Sequence, residues 1–185
     1  MSSDRILFLC DAGLKADGAT GAGRRVYSPG DWPSQKATLP QIKLRILREV
    51  RQSLGRSGAP EFTTTTTIRI LAEAQAYALE DNAGATAAEA AAWALKRQIE
   101  VAIINSYPLF SEIQQLASMR SDLAYTSEGD THVAGIQMDL DFDFFEGAEC
   151  FAPIATSDPT TIRIDPTNYA PASIDIDVRG PLASS

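Results

Sequence analysis

Three aspartates at alternate positions, Asp139, Asp141 and Asp143, are the densest set of candidate ligands or acid–base groups in the chain. In a strand, residues two apart share one face at intervals of roughly 7 Å. Carboxylate oxygens suit Mg²⁺ or Ca²⁺, but one straight strand spreads these three too widely for a single ion. A metal centre, and with it metal-dependent hydrolysis, therefore requires ligands from neighbouring strands or loops. The same row also reads as a solvated strand face, or as a charged face turned toward a partner or the lumen of a ring. His132 is the only histidine, so any Cys–His nucleophilic pair joins it to Cys10 or Cys150, and a serine triad needs it too. Neither cysteine lies in a Gly-rich nucleophile turn and no GxSxG occurs, so all three read as packing residues. The glycines Gly18, Gly21 and Gly23 resemble a phosphate-cradling loop only loosely. Such a loop follows a strand and opens a helix, whereas the Arg24–Pro29 stretch that follows here is extended in character. No catalytic residue, metal ligand or cofactor is assigned from these patterns.

Composition narrows the classes further. Sixteen Lys and Arg against 24 Asp and Glu leave a net charge of −8 over 185 residues, which argues against a protein that grips nucleic acid by neutralising phosphates. A hydrophobic fraction of 44% and a charged fraction of 22% are those of a globular chain. Two cysteines without CxxC spacing give neither a disulfide framework nor a structural zinc site. The apolar run Ile6–Cys10 is far shorter than the ~18 residues of a membrane span, and no basic segment precedes it as in a signal peptide. The expectation is a soluble protein of a reducing cytoplasm.

The elements that must position these residues follow from periodicity. Ser3 to Asp17 reads as a helix with Ser2 or Ser3 as N-cap and Gly18 near its end, although Ile6–Leu9 is also compatible with a short buried strand. A loose stretch from Gly18 to Pro40 holds one short extended piece, Arg25–Tyr27. Ile42 to Arg48 alternates as a strand, and Phe62 to Gln75 alternates for longer, with Phe62, Thr64, Thr66, Ile68, Ile70, Ala72 and Ala74 on one face. Its five consecutive threonines favour the extended state because their branched side chains restrict χ1. Ser53 to Pro60 is a long tip between the two strands. Ala85 to Asn105 is an alanine-rich helix with Thr86 and Glu89 at capping-box spacing and a stripe of Ala88, Ala92, Leu95, Ile99, Ala102 and Ile103; it ends before Pro108. After an irregular or helical piece, Leu109 to Leu116, a strand carries Met119, Ser121, Leu123 and Tyr125 on one face. Ser127–Asp130 has turn chemistry. From His132 to Phe144 the even positions Ala134, Ile136, Met138, Leu140, Phe142 and Phe144 are apolar and the odd positions Gln137, Asp139, Asp141 and Asp143 are polar, the pattern of a strand buried on one side. The prolines beyond Gly147 leave two extended pieces, Thr161–Ile164 and Ile174–Val178. The domain organisation is thus 1–147 as one folded domain and 148–185 as a proline-rich arm.

The order of these elements carries a resemblance. An N-terminal helix is followed by Arg25-Val26-Tyr27-Ser28-Pro29 and Leu39-Pro40-Gln41-Ile42-Lys43-Leu44. Then come a long strand with Ile68-Arg69-Ile70 and the helix with Leu95-Lys96-Arg97-Gln98-Ile99-Glu100. The last element is the strand Gly135-Ile136-Gln137-Met138-Asp139-Leu140-Asp141-Phe142-Asp143-Phe144. Over residues 1–147 this resembles the tail terminator (tail completion) proteins of long-tailed bacteriophages and related prophage or gene-transfer particles. The resemblance implies an α+β fold, a mixed, mainly antiparallel sheet packed against one long helix plus an N-terminal helix. It also implies a structural virion protein rather than an enzyme, assembled in the host cytoplasm and sited at the head-proximal end of the tail. There a homohexameric ring caps the tail tube, ends polymerisation and meets a neck or head-completion protein, with DNA passing through its lumen without specific binding. In that setting Asp139, Asp141, Asp143 and Arg69 would face the lumen or a neighbouring subunit. A neck or head-completion connector is the nearest alternative, and a metal-dependent hydrolase using the aspartate row is the enzymatic one.

Overall fold

Alternating apolar residues make three of the long segments into strands of one sheet, ordered β1-β2-β3-β5-β4. The strands are β1 (Val26–Tyr27), β2 (Gln41–Ser53), β3 (Phe62–Tyr77), β4 (Gln115–Glu128) and β5 (Thr131–Glu146). β1 pairs with β2 in parallel and every other pairing is antiparallel, so the fold is α+β with a mixed, mainly antiparallel sheet. The computed structural model describes residues 1–29, 38–55, 60–77, 83–128, 131–152, 161–164 and 174–177. Parts of the Gly18–Pro40 stretch, the Ser53–Pro60 tip, the Ser127–Asp130 turn and the C-terminal arm therefore lie outside the described residues.

The N-terminal segment is the helix α1 (Ser3–Lys15) rather than a strand. Ser2 is its cap, its hydroxyl accepting the Arg5 amide at 3.3 Å, which satisfies one of the amides left unpaired at a helix start. The chain leaves the helix at Ala16 and turns at Gly18, whose φ of 70° suits glycine. Ile6, Leu9, Cys10 and Leu14 form its buried side.

The long helix α2 (Ala83–Ile104) starts earlier than the capping-box spacing suggests. Thr86 lies within its first turn, because the surrounding alanines favour helix strongly enough to extend it back across Gly84. Ala88, Ala92, Leu95, Ile99 and Ile103 are buried, whereas Ala102 is only half-buried at the edge of the stripe. Burying each of the larger side chains stabilises the docked helix by about 1.5–3 kcal/mol. The following helical turn, α3 (Tyr107–Phe110), takes in Pro108, where the missing amide is one that a helix start leaves unpaired anyway.

α2 lies across β3 and β5, and α1 packs beside it against β2. The core beneath them consists of the even residues of β5, Ala134 to Phe144, with Ile68, Ile70, Ala72 and Ala74 of β3 and Ile42 and Leu44 of β2. β2 is longer than its alternation suggests and is interrupted by a bulge between Ile46 and Arg48. The extra residue, Leu47, shifts all later side chains to the other face.

The chain divides into two units, Met1–Phe151 and Ala152–Ser185. The first runs past Gly147 because a short 3-10 helix, Ala148–Phe151, brings Phe151 edge-on to Phe62 with ring centroids 5.4 Å apart. The second contains β6 (Thr161–Ile164) and β7 (Ile174–Asp177), paired antiparallel with Ile162 opposite Ile176.

Candidate functional site

The face of the sheet opposite the helices gathers the residues that the sequence singles out. The register places Asp139 between Arg69 and Arg120, Asp141 between Thr67 and Ser118, and Asp143 between Thr65 and Gln115. Both oxygens of each carboxylate are engaged. Arg69 donates from Nε and Nη2 to Asp139, each at 2.8 Å. Thr67 and Ser118 each donate to Asp141 at 2.5 Å. Thr65 donates to Asp143 at 2.6 Å and Gln115 at 2.8 Å. The threonine run therefore has two uses: Thr64 and Thr66 are buried on the helix side, and Thr65 and Thr67 bind the aspartates on the other.

These contacts set the electrostatics. The Arg69 hydrogen bonds hold the Asp139 carboxyl below the ordinary carboxylate range against a smaller effect of burial, and the charges of Arg69, Arg120 and Arg48 reinforce them. For Asp141 burial pushes upward, yet the hydroxyls of Ser118 and Thr67 with the charges of Arg48 and Arg120 bring the net shift downward. All three carboxylates already have hydrogen-bond donors on both oxygens. Among the described residues no group of three or more His, Cys, Asp or Glu side chains could hold a metal ion. The three aspartates stand side by side, each with its own partners, and do not converge.

The row is also not a bare acidic wall. Lys43, Arg45, Arg48, Arg69 and Arg120 share this face with Glu73, Asp122, Asp139, Asp141 and Asp143, as the register and the bulge require. Lys43 pairs with Glu73 at 3.1 Å. The chain's net negative charge is thus not concentrated where the aspartate spacing alone suggests.

The remaining candidates do not assemble. Cys10 is buried in α1, with its thiol pushed up to about 12 by burial and by the neighbouring Asp11 charge, so it is no thiolate nucleophile near neutral pH. Cys150 is exposed, and its sulfur lies 3.9 Å from the N-terminal amine. His132 is half-buried and makes no hydrogen bond to either cysteine. In the glycine-rich turn the Gly21 amide is taken by Gln98 Oε1 at 2.7 Å, so it is not aimed at a ligand.

One polar cluster was not legible in the sequence. On the helix side, the Ser3 hydroxyl donates to Glu49 and shares a 2.5 Å hydrogen bond with Thr66. Arg51 bridges Glu49 at 2.7 Å and Glu146 at 2.8 Å, and Thr64 donates to Glu146 at 2.5 Å. Strict alternation puts Glu49 and Arg51 on the opposite face; the bulge turns them over. The signal available was Glu146 itself, a carboxylate at an even, apolar-side position of β5.

Elsewhere, a groove of about 460 Å³ runs between α1 and the end of α2, lined by Leu9, Gly13, Ala16, Ala102, Tyr107 and Pro108. Phe8, Ile104 and Tyr107 are exposed near these elements, Tyr107 to 81%. Among the described residues no helix is long and apolar enough to cross a membrane. No protein-family model matches the chain, and no curated protein matches it.

Proposed function

We propose that the protein is a structural component of a phage-like tail, a terminator whose homohexameric ring caps the tail tube and presents a surface to the neck or head. The observation that carries this reading is the aspartate row. Each oxygen of its carboxylates accepts a hydrogen bond in a cross-strand ladder, an arrangement that fixes a charged surface in place and holds the three carboxylates apart, each on its own donors. A rigid face with interspersed charges of both signs suits a subunit contact or a lumen wall that DNA passes without being held. Exposed apolar side chains on α1, α2 and α3 supply a second surface of the kind that subunit interfaces bury. A ring requires a heterologous contact, in which two different surfaces of one subunit meet, and the sheet face and the helix face are two such surfaces.

Light-scattering mass on a sizing column, with negative-stain images of the same peak, tests the reading. The expected result is a particle of about six subunits that is ring-shaped, or a smaller species that forms rings on isolated tail tubes. A monomer that binds neither tubes nor heads overturns it, and binding to heads alone moves the protein to the neck.

A further inference from the structure

We infer that the open sheet face carries a binding site for a small oxyanion, centred on Arg45. A pocket of about 130 Å³ is lined by Lys43, Arg45, Arg69, Leu71 and Gln137. Three of these five are cations, in a chain of net charge −8. Two are answered internally: Lys43 by Glu73 at 3.1 Å and Arg69 by both oxygens of Asp139. Arg45 is exposed and has no hydrogen-bond or ion-pair partner among the described residues. It stands directly opposite Arg69 across the β2–β3 pairing, where like charges repel.

The arrangement has the parts an oxyanion needs. The planar guanidinium of Arg45 offers paired donors that match the geometry of a carboxylate or phosphate. The Gln137 amide adds a neutral donor, and Leu71 supplies an apolar wall that excludes some of the competing water. A pocket of this volume admits a phosphate or the end of an acidic side chain and is too small for a nucleotide. The bound anion removes the repulsion between Arg45 and Arg69, so occupation also steadies the β2–β3 pairing. Free phosphate and a carboxylate presented by a protein share this chemistry. The inference does not depend on the ring, because every residue of the pocket belongs to one chain.

Calorimetric and NMR titrations with phosphate and with acetate, at fixed ionic strength against chloride, test it. Wild-type protein should bind with a saturable isotherm and shift the amides of β2 and β3. Arg45→Gln should weaken binding about tenfold or more, and Arg45→Lys should fall between, because it keeps the charge and loses the fork. Arg97→Gln, which removes an exposed arginine on α2, should bind as wild type. Binding of phosphate alone assigns the site to phosphate; binding of acetate alone assigns it to a carboxylate. No saturable binding of either anion overturns the site, as does an Arg45→Gln variant that folds with the wild-type thermal transition and binds equally well.

Discussion

Arg51 of β2 donates from Nε to Glu146 of β5 at 2.8 Å, reaching across β3, on the same side of the sheet as the core. Both are charged residues on the apolar side of the sheet. Arg51 arrives because Leu47 is the extra residue of the β2 bulge, and Glu146 because it continues the even, apolar series of β5. The pair closes the end of the core left open beyond Phe144. Phe151 lies over the Arg51 guanidinium, with its ring centroid 5.9 Å away.

Glu146→Ala should destabilise the fold by about 1–3 kcal/mol, since it leaves the Thr64 hydroxyl and a partly exposed Arg51 without their shared acceptor. Urea unfolding of the purified variant measures this. A change below a few tenths of a kcal/mol would show that the cluster is ornamental.

Deleting Leu47 should cost more, about 2–4 kcal/mol, because restoring strict alternation sends Glu49 and Arg51 to the open face and leaves Glu146 buried without its cation. The comparison of interest is with Leu47→Ala. That side chain is 42% exposed, so the substitution should be nearly neutral. Equal losses in the two variants would mean that the residue's contacts matter and the bulge does not.

Stability should depend on pH in a direction set by the carboxylates. Asp139, Asp141 and Glu146 are all held below their ordinary values of 3.8, 3.8 and 4.5 in the folded state. A depressed folded-state value contributes stability above the unfolded value, which is lost as pH falls through the folded one. The unfolding free energy should hold steady from neutral pH to about 5 and decline below 4.5. Asp139→Asn, Asp141→Asn and Glu146→Gln combined should flatten that decline in an acid titration followed by circular dichroism.

The Arg69–Asp139 pair, three-quarters buried on both sides with two 2.8 Å hydrogen bonds, should show a coupling energy of about 1 kcal/mol in a double-mutant cycle with alanine. A coupling indistinguishable from zero would remove it from the account of how the aspartate row is held.

Thiol labelling of the native protein should modify Cys150 and spare Cys10, whose thiol is buried and pushed up to about 12. Mass spectrometry after alkylation distinguishes the two. Rapid labelling of both would mean that α1 opens readily from the sheet.

Local physics made much of this protein readable from its residues. The 3.6-residue stripe of α2 and the period-2 alternation of β3 and β5 each state a buried face, and the capping serine of α1 states where that helix starts, without reference to the rest of the chain. They give the helices and the strands, and they put Asp139, Asp141 and Asp143 on one face of a strand; that Arg69 stands on the strand beside it comes from the pairing. What they cannot contain is register. Which oxygen meets which donor depends on β3 and β4 flanking β5 in one particular alignment. That alignment, settled by packing over the whole sheet, gives each carboxylate of the row its own cross-strand donors. The bulge is non-local in the same way: one inserted residue in β2 sends Arg48 to the open face and Glu49 and Arg51 to the core side. The cations beside the aspartates, the Arg45 pocket and the Glu146 cluster are therefore properties of tertiary structure, because each requires charges from strands far apart in sequence to meet across backbone hydrogen bonds.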